Sequence, residues 1–179
     1  SYPIQLRELP EDPYVSLLWG LKNTGQKGIG RDWDLSKNSA GLEDADIKIE
    51  QAWEITTGSP DVIVAVFDTG IDFTHPDLAD NVWINAGEIP GNGIDDDRNG
   101  YIDDVRGWNY CADNGDVRDD HYHGTHVSGT IGAVGGNGQG VVGVAPNVKI
   151  MTLKILGGSR GCNGSSVDIK RALKYAADN

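Results

Sequence analysis

The sequence predicts an α/β domain built on a mainly parallel sheet. DVIVAVF at 61–67 is a continuous β-branched and apolar run, the composition of a strand buried on both faces. NVKIMTLKIL at 147–156 also reads as a strand. HGTHVSGTIGAV, starting at 123, and SSVDIKRALKYAADN, at 165–179, read as helices. Strands alternating with helices give an α/β domain with right-handed crossovers.

Taken in chain order, residues 1–45 are rich in Pro, Gly, Asp and Asn with little periodicity, so they are expected to form an arm lying over a core built later. Ile47, Ala52, Trp53 and Ile55 place apolar groups on one face of a short helix at 46–57, stopped by TTGSP. The strand at 61–67 follows and delivers Asp68 at its carboxyl end, where open α/β sheets gather functional groups. Residues 85–104 are a Gly/Asp/Asn-rich excursion, part of an acidic insertion at 85–120, within which RGWNYC at 106–111 reads as another strand. The helix from His123 is broken by the glycines of GGNGQG, and the strand at 147–156 follows. The last helix has Val167, Leu173, Tyr175 and Ala176 among polar neighbours, with Ser165 or Ser166 as its N-cap. No internal repeat is visible.

The chain has 179 residues, enough for one ordinary domain or for part of a longer fold. With 27 acidic against 15 basic residues and a formal charge of -12, it should repel nucleic acid and anionic membrane. The acid concentrates between Asp95 and Asp120, which points to local neutralisation by a cation. No apolar run approaches the roughly 20 residues that span a bilayer, and the opening SYPIQLRELPEDPY lacks signal-peptide patterning, so the chain is expected to be soluble and to begin after a processing point. The two cysteines, Cys111 and Cys162, permit either one disulfide, implying an oxidising compartment, or two free thiols.

The chemistry lies in two motifs: VAVFDTGID at 64–72 ends a strand in an acid, and HGTHVSGT at 123–130 opens a helix with a histidine. A serine hydroxyl is a poor nucleophile at neutral pH and needs a base; a histidine serves if one ring nitrogen faces the hydroxyl and the other donates to a carboxylate. Asp68 and His123 are the candidate pair. No Gly-Thr-Ser follows them, and Ser128, Ser165 and Ser166 lack a nucleophile's context.

These motifs, with GVVGVAP at 140–146, IDFTHPDL at 71–78 and LWGL at 18–21, resemble the amino-terminal half of a subtilisin-like serine protease, a subtilase. The resemblance covers most of residues 10–179. It implies a three-layer fold left incomplete in this chain, whose catalytic part begins near residue 46, and an order of acid, histidine, serine for the triad. It further implies Asp68 and His123 as catalytic residues, His126 as a packed support, and a serine endopeptidase whose nucleophile and oxyanion asparagine come from a carboxy-terminal segment. Without that segment the chain is expected to be inactive. The implied partners are that segment, a polypeptide substrate and a propeptide inhibitor, in a secreted or other extracytoplasmic setting. Cys162, Asn163 and Gly164 resemble the family's substrate-flanking strand, where an extended peptide pairs by β-addition, and Cys111 and Cys162 lie in neighbouring loops that related proteases join by a disulfide.

Calcium is the implied cofactor. The resemblance carries a first site onto Asp12, Asp77, Asn137 and the backbone oxygens of Val134, Gln139 and Val141, pinning the arm to the core; the alternative is an arm held only by packing of Trp19 and Leu21. A second reading comes from DDDRNGYIDD at 95–104: Asp95, Asp97 and Asn99 alternate, Gly100 permits a sharp turn, the Tyr101 carbonyl stands at the seventh position of an EF-hand-like loop and Asp103 at the ninth, while Arg106 replaces the glutamate of the twelfth. A third stretch, Asp113, Asp116, Asp119 and Asp120, either binds calcium weakly or sets the local field before His123.

Two rival functions have residues behind them. His121, His123 and His126 with Asp119 and Asp120 have the ligand types of a zinc hydrolase, although His121 precedes the helix and Asp68 is left without a role. A catalytically inactive, calcium-binding protease-like module is the other, and the missing serine supports it.

Overall fold

The computed structural model describes residues 8–26, 41–157 and 161–179; the remainder of the predicted 1–45 arm lies outside the described residues. Among the described residues three parallel strands form the sheet: β1 (Ile63–Asp68), β2 (Gly107–Asn109) and β3 (Lys149–Lys154), in the order β1-β3-β2. The β1–β3 register runs from Ile63 opposite Lys149 to Asp68 opposite Lys154. β3 is the central strand and both its faces are covered, so every residue from Ile150 to Lys154 is buried, the polar Thr152 and Lys154 included.

The helices α2 (His123–Gly132) and α3 (Ser166–Asp178) take opposite faces. Val127 and Ile131 of α2 pack on Val66, Ile71, Leu78, Val117 and Ile150. Ala172 and Tyr175 of α3 pack on Met151, Leu153, Trp83, Trp108 and Tyr110. The alternation of Ile150 with Met151 along β3 sends successive side chains into the two layers. The result is the three-layer α/β architecture expected from the sequence.

Three elements depart from expectation. The helix predicted over 46–57 is the single short turn α1 (Ile49–Trp53): Lys48 is left-handed and the Asp46 carboxylate accepts its amide, so helical backbone starts only afterwards. Ile49 and Trp53 are buried, but Ile47 is exposed and Ile55 is 83% exposed, since the helix ends before Ile55 can share its inner face. β2 is shorter than 106–111. It opens at Gly107, where a Cβ would stand 1.9 Å from the Thr152 oxygen. In α3 the buried positions are Ala172 and Tyr175, while Val167 and Leu173 face solvent. Ser165 caps that helix reciprocally with Asp168 as a capping box.

The arm joins the core through Val15 and Leu21, which cluster with Ile49, Trp53 and Val142. Trp19 is exposed and contributes nothing to that cluster. The 85–104 excursion is ordered from within by Asp104, which is 0% exposed. Its carboxylate accepts from Asn85 Nδ2 at 3.0 Å, from Asn99 Nδ2 at 2.9 Å and from the Tyr175 hydroxyl of α3. Burial, with the Asp104 carboxylate next to it, pushes the Tyr175 phenol up. Tyr101 packs edge-on against Trp108, Tyr110 and Tyr175, holding the insertion to the sheet.

Candidate active site

β1 ends in Asp68 and α2 begins at His123, and main-chain contact holds the two ends together. A Cβ on Gly124 would lie 2.1 Å from the Gly70 oxygen and 3.2 Å from the Asp68 Cβ, so only glycine admits the helix this close to the strand end. Gly70, at φ +112, turns the chain directly after the acid.

His123 Nδ1 consequently stands 2.8 Å from both Oδ1 and Oδ2 of Asp68. The Asp68 side chain is 10% exposed and that of His123 is 57% exposed, so the carboxylate is enclosed while the imidazole meets solvent. A carboxylate at Nδ1 selects the tautomer that donates there and leaves Nε2 as the lone-pair nitrogen. Asp68 Oδ1 also accepts the Thr69 amide at 2.7 Å, and its main-chain oxygen accepts the amides of Ile155 and Leu156.

His126 is exposed on α2 and not packed as the resemblance implied, because it lies on the face of the helix turned away from the sheet. It lines an open groove of about 1310 Å³ with Leu18, Trp19, Leu78, Gly129 and Ala133. His121 stacks on Tyr122 with ring centroids 4.7 Å apart. The three histidines form no metal cluster: among the described residues the one set of three or more His, Cys, Asp or Glu side chains with ligand atoms within 4.8 Å of one another is Glu88, Asp95 and Asp97.

That set keeps two residues of the EF-hand-like reading and takes its third from upstream, in a loop whose twelfth position is Arg106. Glu88 is buried and accepts the amides of Asp96, Asp97 and Asp103. Nothing periodic marks it in sequence. Asp103 is not in the set; its carboxylate accepts the amides of Gly91, Asn92 and Gly93 and holds the outer turn. The Asn99 side chain turns to Asp97 and Asp104, and its oxygen accepts the Tyr101 amide.

The arm-side residues come together. Asp12 accepts the amides of Gly136 and Gly138 at 2.7 and 2.8 Å, while Asp77 accepts Asn137 Nδ2 at 3.0 Å and the Val141 amide at 2.8 Å. The Val134 amide donates to the Asp77 main-chain oxygen, and that of Gln139 to the Asn137 side chain. Both carboxylates are buried, and among the described residues no Lys, Arg or His pairs with Asp12, Asp77, Glu88, Asp95 or Asp97. Of the two sets, Glu88, Asp95 and Asp97 form an all-carboxylate one of the kind that suits a hard divalent cation such as calcium, whereas the groups turned to the Asp12 and Asp77 carboxylates are N–H donors. The third acidic stretch has no common focus: Asp113 pairs with Arg171, Asp116 with Arg118, Asp120 with Lys154, and Asp119 binds Thr69 and Thr125.

Cys111 and Cys162 form a disulfide with Cα atoms 5.7 Å apart. Asn163 makes an antiparallel bridge to Leu156, so Cys162, Asn163 and Gly164 return past the end of β3, beside the strand end that carries Asp68.

Comparison with known proteins places this architecture in a family. Residues 59–179 match the Subtilase family, and the chain belongs to it. Subtilisin-like protease 1 of Plasmodium berghei is 44% identical over 147 residues, covering 81% of this chain and 21% of that protein. An extracellular protease of Xanthomonas campestris is 32% identical over 188 residues, covering 96% of this chain and 30% of its own length. Among solved structures, the serine protease of Aeromonas sobria in complex with its chaperone superposes with a TM-score of 0.63 at 26% identity, over 92% of this chain and 23% of the other. The chain thus spans about a fifth to a third of the length of these three relatives.

Proposed function

We propose that this chain is the acid- and base-bearing part of a serine endopeptidase, with Asp68 and His123 as two members of its triad. The observation that carries the reading is the 2.8 Å contact of His123 Nδ1 with both Asp68 oxygens beside a solvent-facing imidazole. In the reaction, Nε2 takes the proton of a serine hydroxyl as its oxygen bonds to the scissile carbonyl carbon. Nδ1–H stays donated to Asp68, whose charge stabilises the imidazolium, and Nε2 then returns the proton to the leaving amine. Water repeats the sequence to release the acyl product.

The serine and the oxyanion donor belong, on this reading, to a carboxy-terminal segment. Among the described residues β1 has no strand on its outer side, Ile169 and Leu173, four residues apart, stand exposed together on α3, and the groove beside α2 stands open, surfaces of the kind a further part of the fold covers. The isolated chain is inactive, because triad members act as a unit and loss of the nucleophile lowers the rate by about 10⁶-fold. Peptide substrate adds as a strand along Cys162, Asn163 and Gly164. Calcium is held by Asp12, Asp77, Asn137 and the carbonyls of Val134, Gln139 and Val141, and in the insertion by Asp95, Asp97, Asn99, the Tyr101 carbonyl and Glu88. The disulfide and the extracellular Xanthomonas relative support a secreted setting, and the chaperone bound to the Aeromonas protease supports a propeptide or chaperone partner.

The test is co-expression of the chain with the downstream part of its parent protein, followed by hydrolysis of a fluorogenic peptide and labelling with a serine-directed phosphonate. Hydrolysis and labelling only in the completed form support the protease. A completed form that neither cleaves nor labels, yet still binds calcium, supports the inactive module instead.

A further inference from the structure

We propose that Asp119 is a positioning residue that sets the Asp68–His123 geometry through Thr69; this rests on the protease reading only for its catalytic consequence. The half-buried Asp119 carboxylate is saturated with donors from both sides of the site. From the acid side it accepts the Thr69 hydroxyl at 2.8 Å. From the base side it accepts the amides of His121 and Tyr122 at 2.9 and 3.0 Å, and the Thr125 amide and hydroxyl at 2.9 and 2.5 Å.

Those partners are the immediate neighbours of the pair. Thr69 follows Asp68, while Tyr122 and Thr125 bracket His123. Thr69 Oγ1 then accepts the Gly124 amide at 2.9 Å, so one hydroxyl is held by Asp119 and itself holds the residue after the histidine. A helix cap alone needs only the first-turn amides. Here the same carboxylate also fixes Tyr122, a non-glycine residue at φ +74, and reaches back to the strand end. Burial works to raise the Asp119 carboxyl, but the hydrogen bonds from Thr125, the His121 amide and Thr69 outweigh it and hold the group below the usual carboxylate range. An ionised acceptor makes stronger bonds than a neutral one, and an ångström of displacement at such a site lowers turnover by about 10²-fold.

The experiment is proton NMR of the 179-residue chain, following the far-downfield proton between His123 Nδ1 and Asp68. Asp119→Ala should keep cooperative melting yet lose or broaden that resonance, Asp119→Asn should retain part of it, Thr69→Val should lose it and Thr69→Ser should keep it. In the completed protease, Asp119→Ala should lower kcat by about 10²-fold with KM little changed. A folded Asp119→Ala chain with the resonance intact overturns the proposal. If that variant does not fold, an unaltered resonance in Thr69→Val does so instead. Because the resonance requires no serine, a completed protein that fails to cleave while the resonance still answers to Asp119 removes the protease reading and leaves this one standing.

Discussion

Lys154 stands directly across the parallel ladder from Asp68, and its ammonium donates to the carbonyl of Thr69, the residue after that acid. The same ammonium meets Asp120 at 2.8 Å, so the end of β3 is tied both to the turn after the acid and to the loop before His123. Lys154 is buried, and its removal leaves the Thr69 carbonyl short of a donor. Lys154→Met is expected to destabilise the chain by about 1–3 kcal/mol, measured by urea unfolding; an unchanged midpoint would show the contact to be dispensable.

Asp68→Asn tests the acid. The amide cannot hold the imidazole in the donating tautomer, so kcat of the completed protease is expected to fall by about 10⁴-fold. Peptide affinity, set elsewhere, should change little. A variant retaining most of its turnover contradicts the assignment.

Chelation tests the carboxylate clusters. Glu88, Asp95 and Asp97 repel one another when no cation is shared, so excess chelator is expected to lower the melting temperature and expose the 85–120 insertion and the arm to nicking by an added protease. Asp97→Asn should reduce the chelator's effect. Identical melting with calcium and with chelator rules out a stabilising ion.

The disulfide closes a loop with a sequence separation of 51. Chain-entropy reasoning gives a stabilisation of about 2–4 kcal/mol. Cys111→Ser with Cys162→Ser is expected to shift the denaturation midpoint accordingly, and reductant should reproduce the shift in the parent chain but not in the double variant.

The acid limb of stability should report Asp119. Its folded carboxyl is held below the usual carboxylate range, so its contribution is present at and above that range and disappears as pH falls through the lower, folded value. Asp119→Ala is therefore expected to lose less stability than the parent on acidification below about pH 4. Parallel stability curves for the two proteins would contradict this.

The strands, the two long helices and the Asp68–His123 pair were legible because each rests on a local signal: an apolar run, a capping serine, a short motif at an element's end. The face of α1 was misread since a five-residue helix cannot present Ile47 and Ile55 together with Trp53. The hydrogen-bonding roles of Glu88, Asp104 and Asp119 escaped for another reason. Each works by accepting hydrogen bonds from turn backbone or from side chains far along the chain, and such pairings leave no period in the sequence.

The close approach of Gly124 to Gly70 means that how near the helix comes to the strand end is limited by peptide units and not by the core side chains behind them. Core residues behind the pair can therefore drift over evolutionary time, or be redesigned, without resetting that approach. Any bulkier residue at position 124 would instead wedge the two elements apart. That approach tolerates repacking of the core and does not tolerate one added carbon at position 124.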